Sequence, residues 1–278
     1  MAAVEQGYFT AEGIKLDITY GDPSLMTRAL ATGSADMAQD GSDFVLYPRG
    51  DTNLVAVAAG VAVAPAMLYA NKDIKSPADL AGKKVAVPME TDANLTVFKR
   101  FLSENGVDAK AVDMQYMAAS SQRRDALQNG VVDAAMILPP DDVPLKEAGD
   151  HELYFLPDLG SGLPQLTAIT VRQDWAQDHA SLVEAFIRAY AKGIAWVNDP
   201  ANKAGAIKLL EDKAKVSEAA ANSAYDAYVV RVKAYPEGGC IAQQGLDNLV
   251  KIDQENGTLK DMSLTGADFM DTSYCVKN

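Results

Sequence analysis

The sequence is poor in the side chains that most often carry chemistry. Two cysteines and two histidines serve 278 residues. His151 and His179 stand alone in polar stretches that read as surface turns, away from any acidic or cysteine neighbour set. Cys240 and Cys275 lack a C-x-x-C spacing, which leaves a metal centre or redox motif poorly supported. Either they form one disulfide, as suits an oxidising periplasm, or they stay as two buried thiols. Basic residues are also scarce: 25 Lys and Arg face 38 Asp and Glu, for a formal net charge of −13. That balance argues against a nucleic-acid partner, because phosphate binding needs a basic stripe. No apolar run reaches 18 residues, so no segment is expected to insert in a membrane. The first residues lack a basic segment followed by an apolar one, so no signal peptide is visible; a mature extracytoplasmic protein lacks one too. G-x-S-x-G, H-E-x-x-H, Walker A and G-x-G-x-x-G patterns are all missing, and no cofactor is expected.

What is present is a folded composition, 48% apolar and 23% charged, long enough for one large domain or two ordinary ones. The sequence also repeats itself. "ALATGSADMA" (29–38) and "ALQNGVVDAA" (126–135) share the pattern A-L-x-x-G-x-x-D-x-A. The likeness extends upstream. Each copy begins with a helix stopped by glycine, Gly13 or Gly106, followed by an alternating strand, "IKLDITY" or "AVDMQYM". A turn with Ser24 or Ser121 then caps a helix that ends at Gly33 or Gly130 and leads into a strand from Asp36 or Asp133. Helix, strand, helix, strand is the grammar of a parallel sheet covered by helices, so two similar α/β lobes are expected.

The second copy has a strand and turn, "KKVAVPMETDANL", before its first helix, whereas the first has only "MAAVEQGYFTAEG". The first strand of the first lobe is therefore expected to be missing, through an incomplete N-terminus. Between the copies, "NLVAVAAGVAVAPAMLYANKDI" has the length and β-propensity of two strands, and "QLTAITVRQDW" supplies another. From Ala180 onward the chain reads as helices, with Leu182, Phe186, Ala189, Tyr190 and Ile194 marking one buried face. This helical coat is expected to return onto the first lobe. The lobes are then 1–68 with 167–278, and 69–166, joined by two crossings.

"EQGYFTAEGIKLDI", "ALATGSADMA", "SPADLAGKKVAVP", "ALQNGVVDAAMI" and "LVEAFIRAYAKGIAWVNDPANKAGAIKLL", in that order, resemble the nitrate/sulfonate/thiamine-precursor class of substrate-binding proteins of ATP-driven (ABC-type) importers. The resemblance covers nearly the whole chain. It implies a type II periplasmic-binding-protein clamshell with two hinge strands and a ligand held in the cleft between the lobes. It also implies a periplasmic location, a monomer, and a membrane permease as partner.

In open α/β sheets ligands sit beyond the carboxyl ends of strands, where helix N-termini converge. Here these places are 21–25, 39–43, 88–94, 119–123 and 138–142. From them come the expected ligand-binding residues Ser24, Asp40, Ser42, Glu90, Thr91, Asp92, Ser121, Arg123, Pro139 and Asp141. Six carboxylates (Asp40, Asp43, Glu90, Asp92, Asp141, Asp142) against Arg123 and Arg124 suit an amine, a zwitterion or a nitrogenous heterocycle better than a simple anion. Each acidic group has an alternative role in stabilising a helix start, worth about 0.3–1 kcal/mol, and Ser42 and Thr91 double as candidate caps. Arg123 and Arg124 lie in the first turn of a helix, against its dipole. They need a partner such as Asp125 or a ligand carboxylate, or a solvated surface position. Pro139 and Pro140 offer a stiff apolar rim. Two other functions fit the fold. One is an enzyme making the thiamine pyrimidine, which the lack of a cysteine cluster and of any histidine in these loops disfavours. The other is a ligand-sensing module reporting to a receptor.

Overall fold

The computed structural model describes all residues except 22, 48–52 and 277–278, and gives no side-chain placement for 23, 24, 42 and 43. In chain order, helices α1 (Ala2–Glu5), α2 (Tyr8–Ala11) and α3 (Pro23–Thr32) precede strands β1 (Met37–Gly41), β2 (Leu54–Ala59), β3 (Met67–Ala70) and β4 (Lys84–Val87). Next come α4 (Ala93–Glu104), β5 (Asp113–Tyr116), α5 (Ser120–Gln128), β6 (Ala134–Ile137), α6 (Asp142–Ala148), β7 (His151–Phe155) and β8 (Thr167–Arg172). The rest is helical: α7 (Gln173–Asp178), α8 (Ala180–Asn198), α9 (Lys203–Ala214), α10 (Glu218–Tyr225) and α11 (Gln243–Glu255).

The chain forms two compact units. The first comprises Met1–Val63, Pro164–Ala214 and Lys233–Asn278; the second comprises Ala64–Leu163 and Lys215–Val232. It therefore passes from unit to unit four times rather than at two hinge strands. After the last two passages, Lys215 and Lys233 adopt left-handed backbone conformations (φ 56° and 49°), which cost an L-residue roughly 1–2 kcal/mol each.

In the first unit β8 lies between β1 and β2 and is antiparallel to both. All six residues of β2 are buried, as its unbroken apolar run requires. Val55, Val57, Ile169 and Val171 pack with Val183 and Ile187 of α8. Of the face expected on that helix, Ala189 and Ile194 are buried and Phe186 and Tyr190 partly so, but Leu182 is exposed, because Val183 is the residue that meets the sheet. The second unit holds five strands in the order β5-β4-β6-β3-β7, with β4 parallel to β5 and β6, and β3 antiparallel to β6 and β7. Its core joins Met67, Tyr69, Ala135, Ile137 and Phe155 to Leu127 of α5 and Leu145 of α6.

The glycine stops shared by the two copies are real. Gly13, Gly33, Gly106 and Gly130 all take left-handed φ between 67° and 76°, where a side chain would be strained. The alternating segment 14–20 departs from expectation, for it joins no strand. Its counterpart β5 pairs with β4 alone, and among the described residues nothing takes the place of β4 in the first unit. Ile14 and Leu16 instead pack against a small core of Ala3, Phe9 and Ala189, while Tyr20 stays exposed. The helical coat also departs from the expected lobe boundaries: residues 215–232 belong to the second unit. There Ser223 donates to Asp142 (2.6 Å), Arg231 forms a two-pronged pair with Glu152, and Ala227 enters the core.

Burial pushes the Tyr69 hydroxyl up to about 12, with the Lys146 ammonium pulling it back and the Asp142 carboxylate adding to the rise. The folded state thus holds this proton more tightly than the unfolded chain, whose tyrosines titrate near 10. The associated stability is full below pH 10 and lost as pH rises from 10 toward 12, by up to about 2–3 kcal/mol. Urea unfolding at pH 8, 10 and 11.5 is expected to show this fall, and Tyr69→Phe to lessen it by roughly half, because burial raises the Tyr190 hydroxyl as well. An equally steep fall in the phenylalanine variant would assign the effect to another group.

Candidate functional site

Three loops gather at the carboxyl ends of the parallel strands β4, β5 and β6 in the second unit, each opening a helix. The β4 loop ends at Asp92, which caps α4 by accepting from the Asn94 backbone N–H at 2.8 Å. Its charge at a helix N-terminus is favourable in itself. Glu90 and Thr91, just before it, are exposed, and Thr91 is not the cap.

The β5 loop runs into α5, whose N-cap is Ala119 rather than a serine. Ser121 is exposed. Its neighbour Ser120 does the structural work, accepting from the Leu138 N–H (2.9 Å) and facing the Leu138 carbonyl at 3.4 Å. This bond ties the first turn of α5 to the loop that follows β6.

Arg123 makes the same connection more strongly. It is only 4% exposed. Nε donates to the Met136 carbonyl (2.5 Å), and Nη1 donates to the carbonyls of Met117 (2.6 Å) and Ala118 (2.9 Å). Burial lowers its pKa, while Asp92 and then Asp141 oppose that shift, so both carboxylates lie within electrostatic reach. The solvated position weighed for Arg123 is therefore wrong: its compensation comes from carbonyls and two acidic neighbours. Arg124 is the solvent-side partner. It pairs with Asp125 (2.7 Å) and, across to the β6 loop, with Asp141 (2.5 Å). Pro139 is buried and Pro140 half-buried in that loop.

Asp142 begins α6 and is fully buried, receiving Lys146 (2.7 Å) and Ser223 (2.6 Å). In the first unit Asp40 is likewise fully buried on β1, and Thr27 of α3 donates to its Oδ2 at 2.6 Å. The side chains of Ser24 and Ser42 lie outside the described residues. Asp92, Arg123 and Asp141 are thus brought together, while Glu90 and Thr91 stand exposed in the loop before Asp92. Ser120, Thr27 and Ser223 are the polar partners that the sequence reading missed. Ser120 was one position from a flagged serine, whereas Ser223 is 81 residues from its partner and leaves no local signal. A groove of about 540 Å³ lies along β5, lined by Lys99, Lys110, Met114 and Tyr116. Among the described residues no three His, Cys, Asp or Glu side chains cluster to hold a metal ion. None of the described helices is long and apolar enough to cross a membrane.

Helix-opening loops at the carboxyl ends of parallel strands, carrying converging charged groups, are where α/β proteins commonly place a small-molecule site. The chain belongs to the family described as "NMT1/THI5 like", whose model matches residues 1–203. A formylaminopyrimidine-binding protein of Halalkalibacterium halodurans is 25% identical over 202 residues, 70% of this chain and 60% of that relative. The match thus spans less than two thirds of the relative's length. The fold is that of periplasmic binding proteins. The sulfonate ABC transporter's periplasmic sulfonate-binding protein SsuA from Methylobacillus flagellatus KT superposes with a TM-score of 0.80 at 21% identity, over 98% of this chain and 86% of its own. The desulfurization enzyme DSZB gives 0.75 at 15% identity, over 99% and 93%. At such identities these likenesses establish the fold.

Proposed function

We propose that the chain is the substrate-binding component of an ABC-type importer. It captures a small nitrogenous molecule, such as an aminopyrimidine, on its strand-end loops and delivers it to a membrane permease. It acts outside the cytoplasm, as a monomer, and carries out no chemistry. The observation that carries this reading is the convergence of Asp92 and Asp141 on Arg123 in the second unit. Two carboxylates beside one buried guanidinium favour a ligand with amino or amidine-like N–H donors over a simple anion. Membership of the NMT1/THI5-like family and the 25% likeness to a formylaminopyrimidine-binding protein support the same ligand class. The likeness to DSZB raises an enzymatic alternative. Against it, Cys240 and Cys275 are joined to one another, leaving no cysteine nucleophile. His179 stacks on Trp175, with its Nδ1 against the Trp175 carbonyl.

Thermal-shift screening against aminopyrimidines, aromatic acids, alkanesulfonates and nitrate tests the proposal. At a concentration one hundred times Kd the matching class stabilises the protein by about 2.7 kcal/mol. Replacing Asp92 and Asp141 by asparagine is expected to abolish that shift. Stabilisation by sulfonates or nitrate alone would overturn the ligand class, and turnover of a bound pyrimidine would overturn the binding-only role.

A further inference from the structure

The guanidinium of Arg123 carries five N–H donors in one plane. Three are committed: Nε–H to Met136 and the two hydrogens of Nη1 to Met117 and Ala118. The two on Nη2 have no acceptor among the described residues. Nη2 is also not among the sealed polar atoms that lack a partner, so the slight exposure of this side chain includes it. A buried planar group fixed by three hydrogen bonds has little freedom left to lose when a fourth partner arrives. Its position is set by carbonyls from both the β5 loop and the end of β6, where the proposed ligand loops meet.

Its surroundings limit what that partner can be. Asp92 and Asp141 lie close enough to hold up its charge. Arg124, the second cation, is already paired with Asp125 and Asp141. Two arginines therefore face three carboxylates, Asp92, Asp125 and Asp141. An incoming anion would meet a guanidinium whose charge is spent and carboxylates that repel it. A neutral acceptor meets no such repulsion and still gains a charge-assisted hydrogen bond.

We propose that Arg123 is a specificity-determining residue whose Nη2 donates to a neutral acceptor on the ligand, a carbonyl oxygen or an unprotonated ring nitrogen, while the flanking carboxylates turn simple anions away. This rests on the reading that the strand-end loops of the second unit hold the ligand. A formyl group on an aminopyrimidine presents such an oxygen.

Isothermal titration at low ionic strength tests the assignment with three probes: a formylaminopyrimidine, the same aminopyrimidine without its formyl group, and an alkanesulfonate of similar size. The unaltered protein is expected to prefer the formylated probe at least tenfold and to bind the sulfonate most weakly. Arg123→Lys keeps the charge but removes Nη2, and is expected to reduce the preference below threefold; its melting curve without ligand reports whether it folds. Asp92→Asn with Asp141→Asn tests the electrostatic half without touching the arginine. There the ratio of sulfonate to pyrimidine affinity is expected to rise at least tenfold. A formyl preference that survives in Arg123→Lys, or an unchanged ratio in the double variant, overturns the assignment while leaving the transport reading intact. Unaltered protein that binds neither pyrimidine, or that prefers the sulfonate, sinks the ligand class and this assignment together.

Discussion

Replacing Cys240 and Cys275 by serine is expected to lower the stability of the first unit by about 4 kcal/mol, with its melting transition falling by roughly 10 °C. The two cysteines are joined and lie 35 residues apart, so the bond closes a loop whose entropy the unfolded chain otherwise regains. The position of that loop matters as much as its length. Between the cysteines the chain forms α11, then brings Phe269 edge-on to Phe44 and pairs Met270 with Ala56 on β2. The Asp271 N–H donates to the Ala56 carbonyl at 2.9 Å, and Tyr274 seals the end with its hydroxyl on the Ala176 carbonyl at 3.1 Å. The disulfide thus ties down the segment that covers part of an apolar edge strand. Without it those contacts still form but open more often, and an uncovered β2 edge invites pairing with another chain. Urea unfolding of the oxidised, reduced and serine forms checks this, with light scattering to follow association. Equal midpoints would show that packing alone holds the segment.

What the sequence revealed and what it hid divide along physical lines. The glycine stops at Gly13, Gly33, Gly106 and Gly130 were legible because a left-handed φ is a local demand on one residue. The helix α8 was legible because a helix satisfies its own backbone and needs only an apolar face; the face itself was read only in part, for Leu182 turns outward and Val183 inward. The segment 14–20 has the alternation of a strand, yet a strand is a partnership, and alternation does not guarantee a neighbour. The chain's return to the second unit at 215–232 depends on Ser223 meeting Asp142 and Arg231 meeting Glu152. Neither contact has a short-range signature. At the site, the loops were found from the strand-then-helix order, and Asp125 was among the partners that a cation against a helix dipole suggested for either arginine, without saying that Arg124 would be the one to take it. The role of Arg123 did not follow, because three carbonyls from two loops assemble only once β5 and β6 flank β4.

Arg123→Leu is the substitution expected to cost the second unit most, about 4 kcal/mol. A net contribution of roughly 1.5–3 kcal/mol per hydrogen bond from a charged donor, over three bonds, is offset in part by burying leucine in the same space. The carbonyls of Met136, Met117 and Ala118 would be left with one donor fewer, where water has little access. Arg124→Leu provides the contrast. That side chain is a quarter exposed and serves carboxylates that solvent can also serve, so its loss is expected to cost less than about 1 kcal/mol. Adjacent arginines in one helical turn should therefore differ severalfold in urea unfolding. Amide exchange should locate the reason, with residues 117–120 and 136–139 opening faster in Arg123→Leu and unchanged in Arg124→Leu. Equal losses would mean that the three carbonyl bonds hold the β5 and β6 loops no better than a surface ion pair does. If Arg123 donates to the ligand as proposed, a rigid pair of loops is what would let its single unspent nitrogen discriminate between acceptors, so the stability difference and the ligand preference are expected to rest on the same side chain.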